Sequence, residues 1–192
     1  MIADQKAQLR REIAQRITLL SPERRKEESE SICRTLLPLI EPGMAVCGYA
    51  PLPSEPDITP LLAAFIKRGN ALYLPRYENG TVVFLRVEDL SKLVRGNQNI
   101  LEPSQDAAPL GKEGINIVLV PGRAFDGRGN RLGRGAGGYD AWIATARENN
   151  KTMRCIGIAF ACQLVGDVPT EPHDQRMDAL ALPSGYRAVE GE

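Results

Sequence analysis

Residues 115–147 place an apolar strand, a run of glycines and arginines, and a helix in direct succession, and few folds accommodate that order. Ile115-Asn-Ile-Val-Leu-Val-Pro121 reads as a buried strand. Tyr139-Asp-Ala-Trp-Ile-Ala-Thr-Ala-Arg147 reads as a helix. Between them, Arg123 to Asp140 carries six glycines (127, 129, 133, 135, 137, 138) and four arginines (123, 128, 131, 134). Glycine permits positive φ and close approach of backbone amides to a ligand. Arginine adds forked donors for phosphate or carboxylate oxygens. A loop of this kind that opens a helix is an anion cradle, because the helix N-terminus adds unpaired N–H groups and partial positive charge.

The rest of the chain supplies a sheet for that loop to sit on. Residues 4–20 form an amphipathic helix whose stripe contains Ile2, Leu9, Ile13, Ile17 and Leu20. Lys6 and Arg10 are four residues apart and continue that apolar stripe. Two readings stand: their heads reach water at the rim of the core, which the pattern alone favours, or they face an anion held by the body of the protein. Ser21-Pro22-Glu23 starts a second helix that runs to about Leu37. Its charged run, Glu23 to Glu30, reads as a solvated face. Met44–Ala50 is a short buried strand, followed by the proline-rich loop Pro51 to Asp57. Glu55 lies in that loop just past a strand end, where α/β sheets bind ligands, although a solvated carboxylate is the plainer reading.

Thr59-Pro60 caps a helix ending near Gly69, and Ala71–Pro75 is another strand. A turn at Glu78-Asn79-Gly80 leads to a strand at Thr81–Val87. Residues 88–113 are irregular apart from a short helix at 89–94, and Arg154–Phe160 is a further buried strand. Strands separated by helices imply one α/β domain over residues 1–192, with a mainly parallel sheet flanked by helices. The hairpin at 71–87 makes a mixed sheet the alternative.

Composition narrows the function classes. The 24 basic and 24 acidic side chains cancel, which gives no support to a general nucleic-acid or membrane-surface role. No apolar run approaches the roughly 20 residues of a membrane span, and no signal-peptide core is present, so a cytoplasmic protein is expected. Cys33, Cys47, Cys155 and Cys162 have no C-x-x-C spacing and read as reduced, mostly buried thiols. His173, the only histidine, adjoins Asp174, but with no nucleophile nearby it is assigned no catalytic role.

Two phosphate fingerprints fail. No Lys-[Ser/Thr] closes the glycine run, so this is not a P-loop. Gly133 to Gly138 matches G-x-G-x-x-G, but it lies a dozen residues beyond the strand. The ribose-binding acid expected about 20 residues further on is missing, which argues against a nicotinamide-dependent oxidoreductase. Asp140 follows the loop and Asp178 ends a polar C-terminal loop. Such carboxylates could hold Mg²⁺ beside a polyphosphate, or serve as helix caps.

The pieces taken in order carry a family resemblance. They are Lys6-Ala-Gln-Leu-Arg10, Tyr49 to Asp57 with Glu55, Gly69 to Arg76, and Val120 to Asp126. Arg131-Leu-Gly-Arg-Gly-Ala-Gly-Gly-Tyr-Asp140 is the most specific, and Gly157 to Phe160 with Gln163, then Pro169 to Asp174 and on to Asp178, complete the set. Through nearly its whole length the chain resembles the 5-formyltetrahydrofolate cyclo-ligases, also called 5,10-methenyltetrahydrofolate synthetases. The resemblance implies a fold like that of the ribose-5-phosphate isomerase and CoA-transferase group. It implies ATP- and Mg²⁺-dependent conversion of 5-formyltetrahydrofolate to 5,10-methenyltetrahydrofolate, with release of ADP and phosphate, by a monomer whose partners are small molecules.

By the same resemblance, Lys6 and Arg10 contact ATP phosphates. Arg131, Leu132, Gly133, Arg134, Gly135, Ala136, Gly137, Gly138 and Tyr139 wrap the nucleotide. Asp140 and Asp178 bind Mg²⁺, and Arg134 and Asp140 act in catalysis. Glu55 holds the pterin, with Tyr49 and Gly138 as further substrate contacts. The chain departs from the family at Gly138, where a tyrosine is usual, and at Ala136, where lysine or glycine is usual. Gly96 to Pro103 is a loose version of a family segment. The Gly138 departure motivates an alternative function, a folate- or nucleotide-binding relative that no longer closes the ring.

Overall fold

A computed structural model describes residues 1–78, 80–96, 99–111 and 114–189. Four α-helices are present among them: α1 (Ile2–Thr18), α2 (Pro22–Leu36), α3 (Thr59–Lys67) and α4 (Gly138–Asn149). The strands of the first half are β1 (Ala45–Cys47), β2 (Ala71–Glu78), β3 (Thr81–Arg86), β4 (Val94–Arg95) and β5 (Leu101–Glu102). Those of the second half are β6 (Ile117–Pro121), β7 (Ala124–Asp126), β8 (Arg131–Leu132), β9 (Arg154–Ile158), β10 (Leu164–Val165), β11 (Ala179–Leu182) and β12 (Gly185–Ala188).

The main sheet has the order β12-β11-β9-β6-β1-β2-β3. Its five inner strands are parallel, and β3 and β12 pair antiparallel at the edges. The sheet is therefore mixed, and the hairpin at 71–87 is one cause. Asn79, in the expected turn, lies outside the described residues, while the flanking pair Glu78 and Thr81 is in register.

The apolar runs follow from burial on both faces of parallel strands. In β6, Ile117 and Leu119 pack with Ile32, Leu36 and Phe65 of α2 and α3. Val118 and Val120 alternate to the other face, with Ile143 of α4 and Phe84 of β3. A third cluster joins Ile13 and Ile17 of α1 to Ala124, Leu132 and Val168. No helix among the described residues is long and apolar enough to cross a membrane. All four cysteines are free; Cys47 and Cys155 are buried and the other two partly so.

Several sequence expectations change. The charged run of α2 is not wholly solvated: Glu28 is 3% exposed, accepting from Arg24 Nε at 2.8 Å and from the Ala161 amide at 2.9 Å. Ser21 does cap α2, accepting from the Arg24 amide at 3.1 Å. Thr59 lies inside α3, and Asp57 accepts from its amide instead. The stretch 123–140 is not one loop, since β7 and β8 pair within it and β10 completes a small second sheet. Asp126 organises that hairpin. Its fully buried carboxylate accepts from the amides of Arg128, Asn130 and Val168 and from the Asn130 side chain, at 2.9 to 3.1 Å. Between residues 88 and 113 the expected short helix is a 3₁₀ turn, Leu90–Lys92, and the β4–β5 pair follows it.

Candidate active site

Strand order locates the site. The chain runs β1–α3–β2 in one direction, and β6 then pairs on the opposite side of β1. In open α/β sheets a ligand crevice forms beyond the strand carboxyl ends at such a reversal. A cavity of about 280 Å³ lies there, lined by Tyr49 and Ala50 after β1 and by Pro121 and Gly122 at the end of β6. Pro75 and Tyr77 of β2, Glu102 of β5, the 131–140 segment and residues of α1 complete its wall.

The glycine segment enters α4 through backbone that side chains rarely adopt. Gly135 has φ +110° and Gly137, at the N-cap of α4, has φ +68°. The first residues of α4, Gly138 to Asp140, line the cavity, at the end of the helix where amides lack intrahelical acceptors and the dipole is positive. Arg131 is anchored from β8: its guanidinium donates to Pro121 O at 3.1 Å and to Asp140 Oδ2 at 2.7 Å. It also lies over the Tyr139 ring, 5.7 Å from the centroid. Burial pushes the Tyr139 hydroxyl well above its ordinary pKa, so it stays neutral. Arg134 crosses the cavity mouth to Glu55 Oε1 at 3.2 Å and Ser54 Oγ at 3.1 Å. Glu55 Oε2 accepts from the Leu52 amide at 3.0 Å.

Lys6 is 7% exposed, so its head does not reach water as the helical pattern alone suggested. Its Nζ donates to Asp174 Oδ2 at 2.6 Å and Glu171 Oε2 at 2.8 Å. Burial alone would lower the lysine pKa, but these two carboxylates raise it above its ordinary value. Arg10, one turn on, donates from Nε to Gly133 O at 2.9 Å and so braces the glycine segment.

Thus Lys6, Arg10, Tyr49, Glu55 and every residue from Arg131 to Asp140 line one cavity. Asp178 does not. Its Oδ2 accepts from the Cys155 amide at 2.6 Å and from Arg147 at 3.0 Å, which ties α4 to β9 behind the cavity wall. Of the four loop arginines, only Arg131 and Arg134 face the cavity. Arg128 instead pairs with Asp167. Sequence reasoning missed Tyr77, Glu102, Glu171 and Asp174, all of which line it. The available signal was the charge-bearing Glu-Pro pairs at 102–103 and 171–172, polar punctuation that looks like ordinary loop.

Gly138 has a local explanation. A Cβ there would lie 2.8 Å from Val82 Cγ2 and 3.4 Å from the Tyr77 ring. Side chains from β2 and β3 thus already occupy the space into which a residue at 138 would project.

The 5-formyltetrahydrofolate cyclo-ligase family model matches residues 2–183. The chain belongs to this family. It is 31% identical to the 5-formyltetrahydrofolate cyclo-ligase of Escherichia coli strain K12, over 90% of this chain and 97% of that one. It is 31% identical to the enzyme of that name from Mycolicibacterium smegmatis, over 93% of each chain. Among solved structures, the Aquifex aeolicus 5,10-methenyltetrahydrofolate synthetase superposes with a TM-score of 0.82 at 30% identity, covering 97% of this chain and 94% of that one.

The cavity carboxylate that could hold a divalent metal is Asp140, whose two oxygens accept from Arg131 and the Gln175 amide. No group of three or more His, Cys, Asp or Glu side chains placed to hold a metal occurs among the described residues. Mg²⁺ commonly keeps its waters and takes one or two carboxylates with substrate phosphates, so Asp140 alone would fit it.

Proposed function

We propose that this protein uses ATP to close 5-formyltetrahydrofolate into 5,10-methenyltetrahydrofolate, releasing ADP and phosphate. The observation that carries this reading is the composition of one cavity. A cationic glycine segment at a helix N-terminus, suited to polyphosphate, faces carboxylates and tyrosine rings suited to a planar N–H-bearing heterocycle. Family membership supplies the chemistry.

In this reading the formyl oxygen bonds to the γ-phosphorus as the bond to ADP breaks. N10 then bonds to the formyl carbon, releases its proton, and the carbon–oxygen bond to phosphate breaks. Phosphoryl transfer needs positioning and neutralisation of charge more than a covalent nucleophile. Arg134, with the amides of the 133–138 segment, is positioned for that task, and Lys6 and Arg10 bracket the phosphates from α1. Mg²⁺ beside Asp140 would neutralise phosphate charge when bound. Glu55 and Tyr49 belong to the folate side. Asp178 is assigned to holding α4 against β9, and through α4 to holding Asp140.

The test is incubation of purified protein with 5-formyltetrahydrofolate and Mg·ATP, following methenyl absorbance and ADP release together. Stoichiometric appearance of both is expected. ADP release without methenyl product would reassign the phosphoryl acceptor, and absence of both from folded protein would sink the reading.

A further inference from the structure

Glu102 differs from the cavity's other carboxylates. Its residue is 2% exposed, it lines the cavity, and its Oε1 is enclosed with no hydrogen-bond partner among the described residues. By contrast, both oxygens of Glu55 and both of Asp140 already accept hydrogen bonds. We propose that Glu102 is a substrate-recognition residue, a second carboxylate that accepts hydrogen bonds from adjacent N–H donors of the pterin ring. The inference rests on reading the cavity as a folate site.

The side chain occupies a built position. A Cβ at Gly96, just past the end of β4, would run into the Glu102 carboxylate, so glycine at that position leaves room for this acid. Arg76 supplies nearby positive charge, with Nη1 3.5 Å from Oε2. That guanidinium is directed elsewhere, donating to Pro103 O at 3.0 Å and lying 3.3 Å from Glu78 Oε1. It balances the charge of Glu102 without saturating its oxygens. A buried carboxylate oxygen without a donor is costly, and such a group in a cavity wall is matched to a ligand that brings the donor.

The surroundings specify that ligand. Pro75, Tyr77 and Ile100 line the same cavity as Glu102, an apolar and aromatic setting for a flat ring. A reduced pterin presents its 2-amino group and the neighbouring ring N–H side by side, a donor pair that one ionised carboxylate accepts. Phosphate, the other chemistry of the cavity, is repelled by the same charge. Glu102 therefore also sets the direction in which the folate enters relative to the nucleotide.

The experiment compares wild type with Glu102→Gln, which keeps the shape and one acceptor but loses the charge and adds a donor. Steady-state KM values for 5-formyltetrahydrofolate and ATP, the melting temperature, and calorimetric binding of 5-formyltetrahydrofolate without ATP are measured on the full chain. Loss of hydrogen bonds to a charged group predicts a rise of about 10- to 100-fold in folate KM and Kd. ATP KM and melting temperature should stay at wild-type values. Folate KM and Kd within twofold of wild type would overturn the inference. So would a joint rise of both KM values with a lowered melting temperature, which marks a structural role. If wild type binds 5-formyltetrahydrofolate but forms no methenyl product, the proposed reaction fails while the Kd comparison still decides Glu102. Absence of folate binding by wild type overturns both.

Discussion

At the scale of single residues, Gly138 shows how one position is defined by its neighbours. The sequence marks it as the place where an aromatic residue is missing. The fold adds that Val82 and Tyr77 fill the adjoining space. Gly138→Ala should destabilise the protein by about 1–3 kcal/mol, the usual cost of forcing atoms into a packed site. Val82→Ala in the same chain should return part of that loss, because the close contact is with Val82 Cγ2. Urea unfolding of the two single variants and the double variant measures the coupling; additive losses would reject it. Lys6 teaches the same lesson in the opposite sense. Its helical phase was readable, but its two acidic partners lie 165 and 168 residues away.

At the scale of elements, helices and inner strands were legible because their periodicities are local. Ser21-Pro22 announced α2, and the apolar runs announced β6 and β9. The short β7–β8 hairpin was not legible. Glycines at 127 and 129 and arginines at 128 and 131 read as loop, and the hairpin is fixed at Asp126 by two amides of its own turn and by the distant Val168 amide. Burial alone would raise the Asp126 pKa, but the Asn130 side chain and three amides hold it below its ordinary value. Asp126→Ala leaves those donors unpaired in the interior. The expected cost is about 3 kcal/mol, within the range for orphaned buried polar groups and read by thermal unfolding. Because β8 carries Arg131, ATP KM should rise as well; an unchanged melting temperature would reject the assignment.

At the scale of the whole molecule, Lys6 links α1 to the loop before β11, and so joins the first helix to the last part of the sheet. Burial would raise the Asp174 pKa, but hydrogen bonds from Lys6 and the Glu171 amide hold it below its ordinary 3.8. A carboxylate depressed in the folded state contributes stability above pH 3.8, lost as pH falls through the folded value. Lys6, raised above 10.5, contributes below that pH and loses its contribution as pH rises through its folded value. Lys6→Met removes the group that opposes desolvation of Asp174. Thermal unfolding followed by circular dichroism should then show a stability loss at neutral pH that shrinks as pH falls through the folded Asp174 value, and ATP KM should rise. A loss of the same size across that pH range would show that Asp174 is not linked to Lys6.

The sequence by itself determined the α/β class, the helices, the inner strands, and a phosphate-suited segment between β6 and α4. Each depends on residue periodicity or glycine chemistry within a short window, so no distant partner is needed to recognise it. The tertiary structure alone decided which acids face the cavity. Glu55, Glu102, Asp140 and Asp174 line it, while Asp178 turns to Cys155 and Arg147. In a sequence these carboxylates are chemically alike. Strand order and side-chain partners drawn from opposite ends of the chain distinguish one that holds the fold from one that meets a ligand.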